Sequence, residues 1–357
     1  MPTSAQTARR GIRPRAIDLF SGAGGLTRGL RDAGFTVIGA VEQDDLAAES
    51  YRFNFPRVRL WESDIRNIAG SEILKTLGLR PGQLELLAGC PPCEGFSTLR
   101  TRNGHDQVND PLNDLITEFG RLVTDLLPRY VMLENVPALA QDSRFHDYVA
   151  LLQGSGYSVR HQVKDVSLYG VPQRRRRLIL IAVWGDYQAL PDEPVPAARP
   201  TVRHVLSQLP QAGASGDKLH DHGEQRTARV QSLIAAVPKD GGSRANLPSS
   251  MQLPCHERVN GFHDVYGRMA WDRPAPTITG GCINPSKGRF LHPEEDRAIT
   301  LREAALLQSF PPGHQFSLRR GKYAAAELIG NALPPVFVRR HARPIADIIK
   351  WQSSPRI

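Results

Sequence analysis

From Arg15 to Trp184 the chain alternates short apolar runs with longer mixed segments. Residues 16–20, 36–41, 58–60, 84–88, 130–133, 158–166 and 178–183 have the length and side-chain content of strands, and the spacers between the early runs suit helices. This alternation predicts βαβ units and a parallel sheet, hence an α/β fold of the Rossmann-like type. The last two runs, separated by Leu168-Tyr169-Gly170-Val171-Pro172 and four arginines at 174–177, read as a hairpin at the sheet edge. Between Trp184 and about Pro200 the composition shifts to Pro, Ala and Asp, as in a linker. The stretch up to about Arg297 is rich in Gly, Pro, Ser and His with weak periodicity, and predicts a second, loop-rich lobe. Helical periodicity returns at residues 300–308, and a final apolar segment spans 335–351. No internal repeat of fixed period occurs.

The strand ends carry the candidate chemistry. Strand four runs into Gly89-Cys90-Pro91-Pro92-Cys93-Glu94-Gly95-Phe96-Ser97, which presents the Cys93 thiol on a stiffened turn as a candidate nucleophile. Strand five runs into Glu134-Asn135-Val136-Pro137 and delivers a carboxylate. In a parallel sheet, side chains at neighbouring carboxyl ends aim into one crevice. The first strand ends in Asp18-Leu19-Phe20-Ser21-Gly22-Ala23-Gly24-Gly25-Leu26, a turn where backbone can approach a bound cofactor. It departs from the dinucleotide pattern GxGxxG, because Thr27 occupies the third glycine position. Glu42 and Asp64 follow the second and third strands; they suit a ribose and an adenine amino group, or are solvated loop acids. Cys90 and Cys93 form a CxxC, readable as a redox pair or half a zinc site, but no second CxxC follows and Cys255 and Cys282 stand singly.

Composition narrows the class. The chain has 357 residues, 40% of them hydrophobic, enough for about two domains with a real core. No apolar run of membrane-spanning length or signal core occurs, and four cysteines suit a reducing interior, so the expected location is the cytoplasm. A net charge of +9 favours a polyanionic partner without locating its binding face.

Taken in chain order, these motifs resemble the DNA (cytosine-5) methyltransferase family of the bacterial modification type, over nearly the whole chain. DLFSGAGGL is similar to the family's S-adenosylmethionine loop, PPCEGFS to its nucleophile loop, ENV to its acid, and Gln173-Arg174-Arg175-Arg176-Arg177 to its QxRxR motif. Residues 297–310 resemble the helix before the closing motif, and Gly330-Asn331-Ala332-Leu333-Pro334-Pro335 resembles that motif. The family carries Gln after the nucleophile where this chain has Glu94. The resemblance implies a cofactor-binding catalytic domain of residues 1–184 plus 322–357, and a target-recognition domain of residues 185–321. Its implied catalytic residues are Cys93, Glu134, Arg175 and Arg177. The implied cofactor residues are Asp18, Phe20, Gly22, Gly24, Gly25, Glu42, Asp64, Ile65, Pro92 and Asn331. For DNA it implies Ser97, Gln173 and Thr277, the last beside Ile278 as a Thr-aliphatic pair; Arg244, Arg258, Arg268, Arg273, Lys287 and Arg289 are candidate groove or phosphate contacts.

The chemistry so implied is addition of a Cys93 thiolate to carbon 6 of an extruded cytosine, with Glu134 bonded to ring nitrogen 3. A methyl group then passes from S-adenosylmethionine to carbon 5, leaving S-adenosylhomocysteine, without a metal. Residues 95–113 read as a mobile loop that closes over the base. His220, His222, His256 and His263 lack ligand spacing and read as loop or DNA-facing residues. The expected partner is double-stranded DNA, with a separate restriction endonuclease as a possible companion and no membrane. Two other readings stay open: an RNA (tRNA) cytosine-5 methyltransferase of the same fold, and a silent DNA-binding regulator.

Overall fold

The computed structural model describes residues 13–92, 114–185, 189–251 and 264–352. Seven strands form one sheet in the order β3-β2-β1-β4-β5-β7-β6. They are β1 (Arg15–Leu19), β2 (Thr36–Glu42), β3 (Arg59–Glu62), β4 (Leu86–Gly89), β5 (Tyr130–Asn135), β6 (Tyr157–Asp165) and β7 (Arg176–Trp184). The first five pair in parallel. β7 runs antiparallel to both β5 and β6, so the predicted hairpin closes that edge.

Helices α1 (Gly25–Ala33), α2 (Asp45–Asn54), α3 (Gly70–Leu77), α4 (Leu115–Leu126) and α5 (Ser143–Gly154) fill the connections. Because side chains alternate along a strand, each sheet face acquires its own core. Ile17, Leu19, Leu87, Val131 and Leu133 point to one side and bury Phe119, Leu122 and Phe145 from α4 and α5. Ala16, Leu86, Ala88, Tyr130 and Met132 point to the other, where α1 and the C-terminal helix α10 (Pro335–Gln352) cover them. Runs buried on both faces explain why the central strands read as continuous apolar stretches.

The second lobe has little regular structure among its described residues: helices α6 (Val202–Leu206) and α7 (Ala228–Ala236), single 3-10 turns and isolated bridges. One of its clusters joins Met269, Ala275, Ile278 and Phe290 to helices α8 (Leu301–Leu307) and α9 (Gly321–Asn331), and Ala23 belongs to the same cluster. Ala325, Ala326 and Ile329 of α9 therefore pack with the second lobe, and the chain returns to the sheet at Leu333.

Two arginines replace the missing ladders. Arg268 is fully buried, with Nε bonded to Val237 O, Nη1 to His292 O and Glu295 O, Nη2 to Ile234 O, and an ion pair to Asp296. Arg289 Nη1 donates to the carbonyls of Gly241, Gly242 and Arg268 and its Nε pairs with Asp264 at 2.9 Å. The guanidinium carries five donors in a fixed fork and suits this stapling of irregular backbone.

Candidate active site at the carboxyl ends of the strands

The chain leaves β1 into a turn whose backbone is held on all sides. Phe20 and Gly22 both have left-handed backbones, with φ of 59° and 53°. A left-handed phenylalanine is strained, so its surroundings must impose it. Ser21 N donates to Val41 O, Gly22 N donates to Glu42 Oε2 at 2.7 Å, and Gly24 N closes the turn on Ser21 O. Gly24 has φ 91°, and a Cβ there would lie 2.2 Å from Phe55, so only glycine fits. Gly25 opens α1 with Leu333 O against it, which brings the segment after exposed Asn331 to the turn.

Beneath the turn Asp18 is fully buried. Its Oδ2 accepts from Thr27 Oγ1 at 2.6 Å, and Thr27 also meets Tyr51 Oη at 2.8 Å. Burial, partly opposed by the Thr27 bond, pushes the Asp18 carboxyl up to about 7. Burial likewise raises Glu42, whose carboxylate holds the N–H groups of Gly22 and Asp44. Asp64 caps the 3-10 turn Ile65–Asn67, and its bond to Arg66 lowers its pKa; Ile65 is buried beside it.

S-adenosylmethionine fits this place on the donor set alone. Asp18 Oδ1 and Ser21 Oγ are buried without a partner, nothing lies within 4 Å of a Cβ on Gly22, and Phe20 is half-buried. The carboxylates of Glu42 and Asp64 stand at the ends of the next two strands, with acceptor capacity for hydroxyl or amino donors.

On the other side of β1, β4 and β5 run in register with Gly89 opposite Leu133, and Asn135 Nδ2 donates to Pro91 O at 3.0 Å. The turn after β4 is thereby tied to the end of β5 at Pro91, and Pro92 beside it is half-buried. Cys93, Ser97, the 95–113 loop and Glu94 lie outside the described residues, as do Arg258, His256 and His263. Glu134 is 6% exposed. Its Oε1 lies 2.7 Å from Arg177 Nε yet off the N–H direction, and has no directed donor. Cys90 faces the same carboxylate. Burial, then the charges of Glu134 and Asp18, push its thiol well above the ordinary value. Cys90 thus stays protonated at neutral pH and cannot serve as a thiolate nucleophile. Its proximity to Glu134 follows from alternation along paired strands, a signal available from the sequence and missed as a CxxC.

The arginine block alternates, with Arg174 and Arg176 exposed and Arg175 buried. Arg175 Nη1 donates to Ile278 O and Gly330 O, and Gln173 bonds Gln308 Oε1, Leu307 O and Ile278 N. Burial and then Arg177 push Arg175 down, yet two carbonyls hold its protons in place. Gln308, which the sequence reading did not single out, completes the clasp by donating to Ile329 O. A Cβ on Gly330 would lie 2.1 Å from the backbone of Thr279, so the closing motif and the second lobe meet backbone to backbone.

These contacts correct several DNA-facing expectations. Arg268 is a core staple, Gln173 an internal clasp, and Arg289 a half-buried brace; Arg244 is buried. In a lobe short of ladders, bare carbonyls attracted donors that composition alone assigned to phosphates. Thr277, Arg273 and Lys287 are exposed, with Thr277 Oγ1 bonded to Arg174 O. His220 is buried between Thr300 Oγ1 and Pro210 O, and His222 Nε2 accepts from Leu301 N, so both are structural. Among the described residues no group of three or more His, Cys, Asp or Glu is placed to hold a metal.

Comparison with known proteins gives the family. The family model for C-5 cytosine-specific DNA methylase matches residues 15–347, and the chain belongs to that family. It is 37% identical over 349 residues to the Type II methylase M.HgiDII of Herpetosiphon aurantiacus, covering 94% of this chain and 95% of that one. It is 30% identical over 335 residues to the Type II methyltransferase M1.HphI of Haemophilus parahaemolyticus, covering 92% and 86%. Among solved structures, a protein described as a prophage-encoded DNA modification methyltransferase (E. coli) superposes with TM-score 0.69 at 25% identity, over 94% of this chain and 99% of that one. The S. pombe Dnmt2 methyltransferase, at TM-score 0.60 and 16% identity, shares the fold over 96% and 100%. The protein is a cytosine-5 DNA methyltransferase of the restriction-modification type, in a family that uses S-adenosylmethionine.

Proposed function

We propose that the chain methylates one cytosine within a defined duplex sequence through a covalent adduct on Cys93. The observation that carries this reading is Glu134, buried beside Arg177 with an undirected Oε1, on the strand tied through Asn135 to the turn that leads into Cys93. Asp18, Phe20, Gly22, Gly24, Gly25, Glu42, Asp64, Ile65, Pro92 and Asn331 would hold S-adenosylmethionine at the glycine turn, where it would supply a sulfonium methyl group with S-adenosylhomocysteine as the product. Cys93 adds to carbon 6, which breaks the ring's aromaticity and makes carbon 5 nucleophilic toward the methyl group; loss of the carbon 5 proton with expulsion of the Cys93 thiolate then restores the ring. Glu134 shares a proton with ring nitrogen 3 and holds the charge that builds there. Arg177 supplies the counter-charge to that carboxylate, and Arg175 clamps the carbonyls of Ile278 and Gly330 behind it. Residues 185–321 read the sequence, with Ser97, Thr277, Arg273 and Lys287 as the remaining candidate contacts. The protein works in the cytoplasm on chromosomal DNA, protecting sites that a companion endonuclease cuts.

Bisulfite sequencing of DNA from cells expressing the protein should show one cytosine protected from conversion in a fixed context. A duplex carrying 5-fluorocytosine in that context should trap an adduct that Cys93→Ser abolishes. Equal trapping by both proteins would refute the covalent step. Tritium transfer to tRNA but not DNA would refute the substrate.

A further inference from the structure

Ala23, the single residue between the left-handed glycines Gly22 and Gly24, belongs to the core cluster that contains Met269, Ile278 and Phe290. Its carbonyl accepts from His314 Nε2 at 2.9 Å. A carbonyl has no proton to give, so the imidazole must carry its proton on Nε2. His314 is 3% exposed, with ring centroids 4.5 Å from Phe310, 5.0 Å from Phe316 and 6.0 Å from Phe55. Phe55 is also the ring that fills the space beside Gly24.

The histidine is itself fixed from two directions. Arg302 Nη1 donates to His314 O at 2.8 Å, and Arg302 Nε pairs with Asp217 of the second lobe. On the other side Asn54 brackets Gln315, donating to its carbonyl and accepting from its N–H, and Ser50 Oγ accepts from Ser317 N. Burial pushes the ring down to about 4, so it stays neutral and donates through one nitrogen at physiological pH.

We propose that His314 is a positioning residue for the cofactor loop, its Nε2–H fixing the Ala23 carbonyl and with it the Gly22–Gly24 turn. The inference rests on the reading that this turn takes S-adenosylmethionine. Removing the donor leaves a buried carbonyl unpaired, which the turn can relieve only by moving. The loop must then be re-ordered each time the cofactor binds.

Calorimetric binding of S-adenosylhomocysteine to the full-length protein tests this. His314→Phe keeps the ring and loses the donor, and should bind about 10-fold more weakly, the equivalent of one hydrogen bond. His314→Gln restores an N–H at similar reach and should lie within about 2-fold of wild type. Amide exchange over residues 20–27 of the cofactor-free protein should rise in the phenylalanine variant and not in the glutamine one. A purely structural histidine would instead lower the melting temperature in both while leaving affinity and local exchange unchanged, which overturns the proposal. Failure of wild type to bind would bring down the cofactor reading with it; normal wild-type binding matched by His314→Phe sinks the positioning role alone. Should His314→Phe fail to fold, long-range 1H–15N spectra of the wild type decide: a neutral ring protonated on Nε2 is expected, and the Nδ1–H tautomer overturns it.

Discussion

Arg177 and Glu134 face each other across paired strands, and the two halves of this contact are not equivalent. Both side chains are largely withdrawn from water, at 14% and 7% exposure. Deleting the cation leaves a carboxylate in the interior without its counter-charge. Arg177→Gln should therefore cost about 3 kcal/mol in urea unfolding, in the range for breaking one side of a buried pair, whereas Arg174→Gln at the exposed neighbouring position should change stability by less than about 0.5 kcal/mol. Similar losses for both would show that the pair is solvated. Glu134→Gln keeps the shape and removes the exchangeable acid. Single-turnover methyl transfer should fall by about 100-fold or more, as for loss of a general acid, with S-adenosylhomocysteine binding unchanged. A fall of a few fold would remove Glu134 from the chemistry. Cys90 adds a weak donor on the same carboxylate. Its raised pKa keeps the Cys90 thiol in the protonated form beside that carboxylate.

At the level of elements, the legible parts were those with a repeating reason to be legible. The seven strands were expected within two residues of where they lie, because each has a run of apolar side chains at a two-residue period or a continuous buried run. Strand four starts at Leu86 rather than 84, where pairing moves from bridging turn bonds to the ladder with β5. Helix α8 announces itself by a capping box: Thr300 Oγ1 accepts from Glu303 N, Thr300 N donates to Glu303 Oε2, and Arg297 holds the same carboxylate. Thr300 also bonds His220, so Thr300→Ala should cost about 2 kcal/mol in urea unfolding, a lost cap together with an unpaired imidazole nitrogen. Thr300→Ser should recover most of it; a neutral alanine would mean that the cap is redundant. The second lobe was legible only as irregular. Its order comes from Arg268, Arg289, His220 and Gln308 gripping carbonyls and hydroxyls far away in sequence, and no local period encodes such bonds. The same blindness turned Arg268 into a DNA candidate. The glycine turn after β1 was legible because glycines mark close approach, while its contact with His314 spans 291 positions.

For the whole molecule, buried ionisable groups make stability depend on pH in opposing directions. His314 and His341 are each pushed down to about 4 by burial, so between about 4 and 6.5 the unfolded chain binds protons that the native protein refuses. Stability contributed by each is present above 6.5 and is lost as pH falls toward 4. Asp18 works the other way: its carboxyl is raised to about 7, so the native state takes up a proton before the unfolded chain does and gains stability as pH falls from 7. The raw acid profile of the protein is consequently a partial cancellation. A difference profile isolates one contributor. His341 sits away from the proposed site, with Nδ1 bonded to Phe337 O and its ring against Tyr169 and Phe337. The stability of His341→Phe relative to wild type should improve by about 2.5 kcal/mol between pH 7.5 and pH 4.5, since the variant has no ring to protonate and every other group cancels. The sign is fixed by the downward shift: a histidine whose pKa were raised in the native state would make the variant relatively worse as pH falls. Urea unfolding at those two pH values decides between them, and a flat difference would show that His341 titrates alike in the folded and unfolded chain, which its burial on the C-terminal helix does not allow.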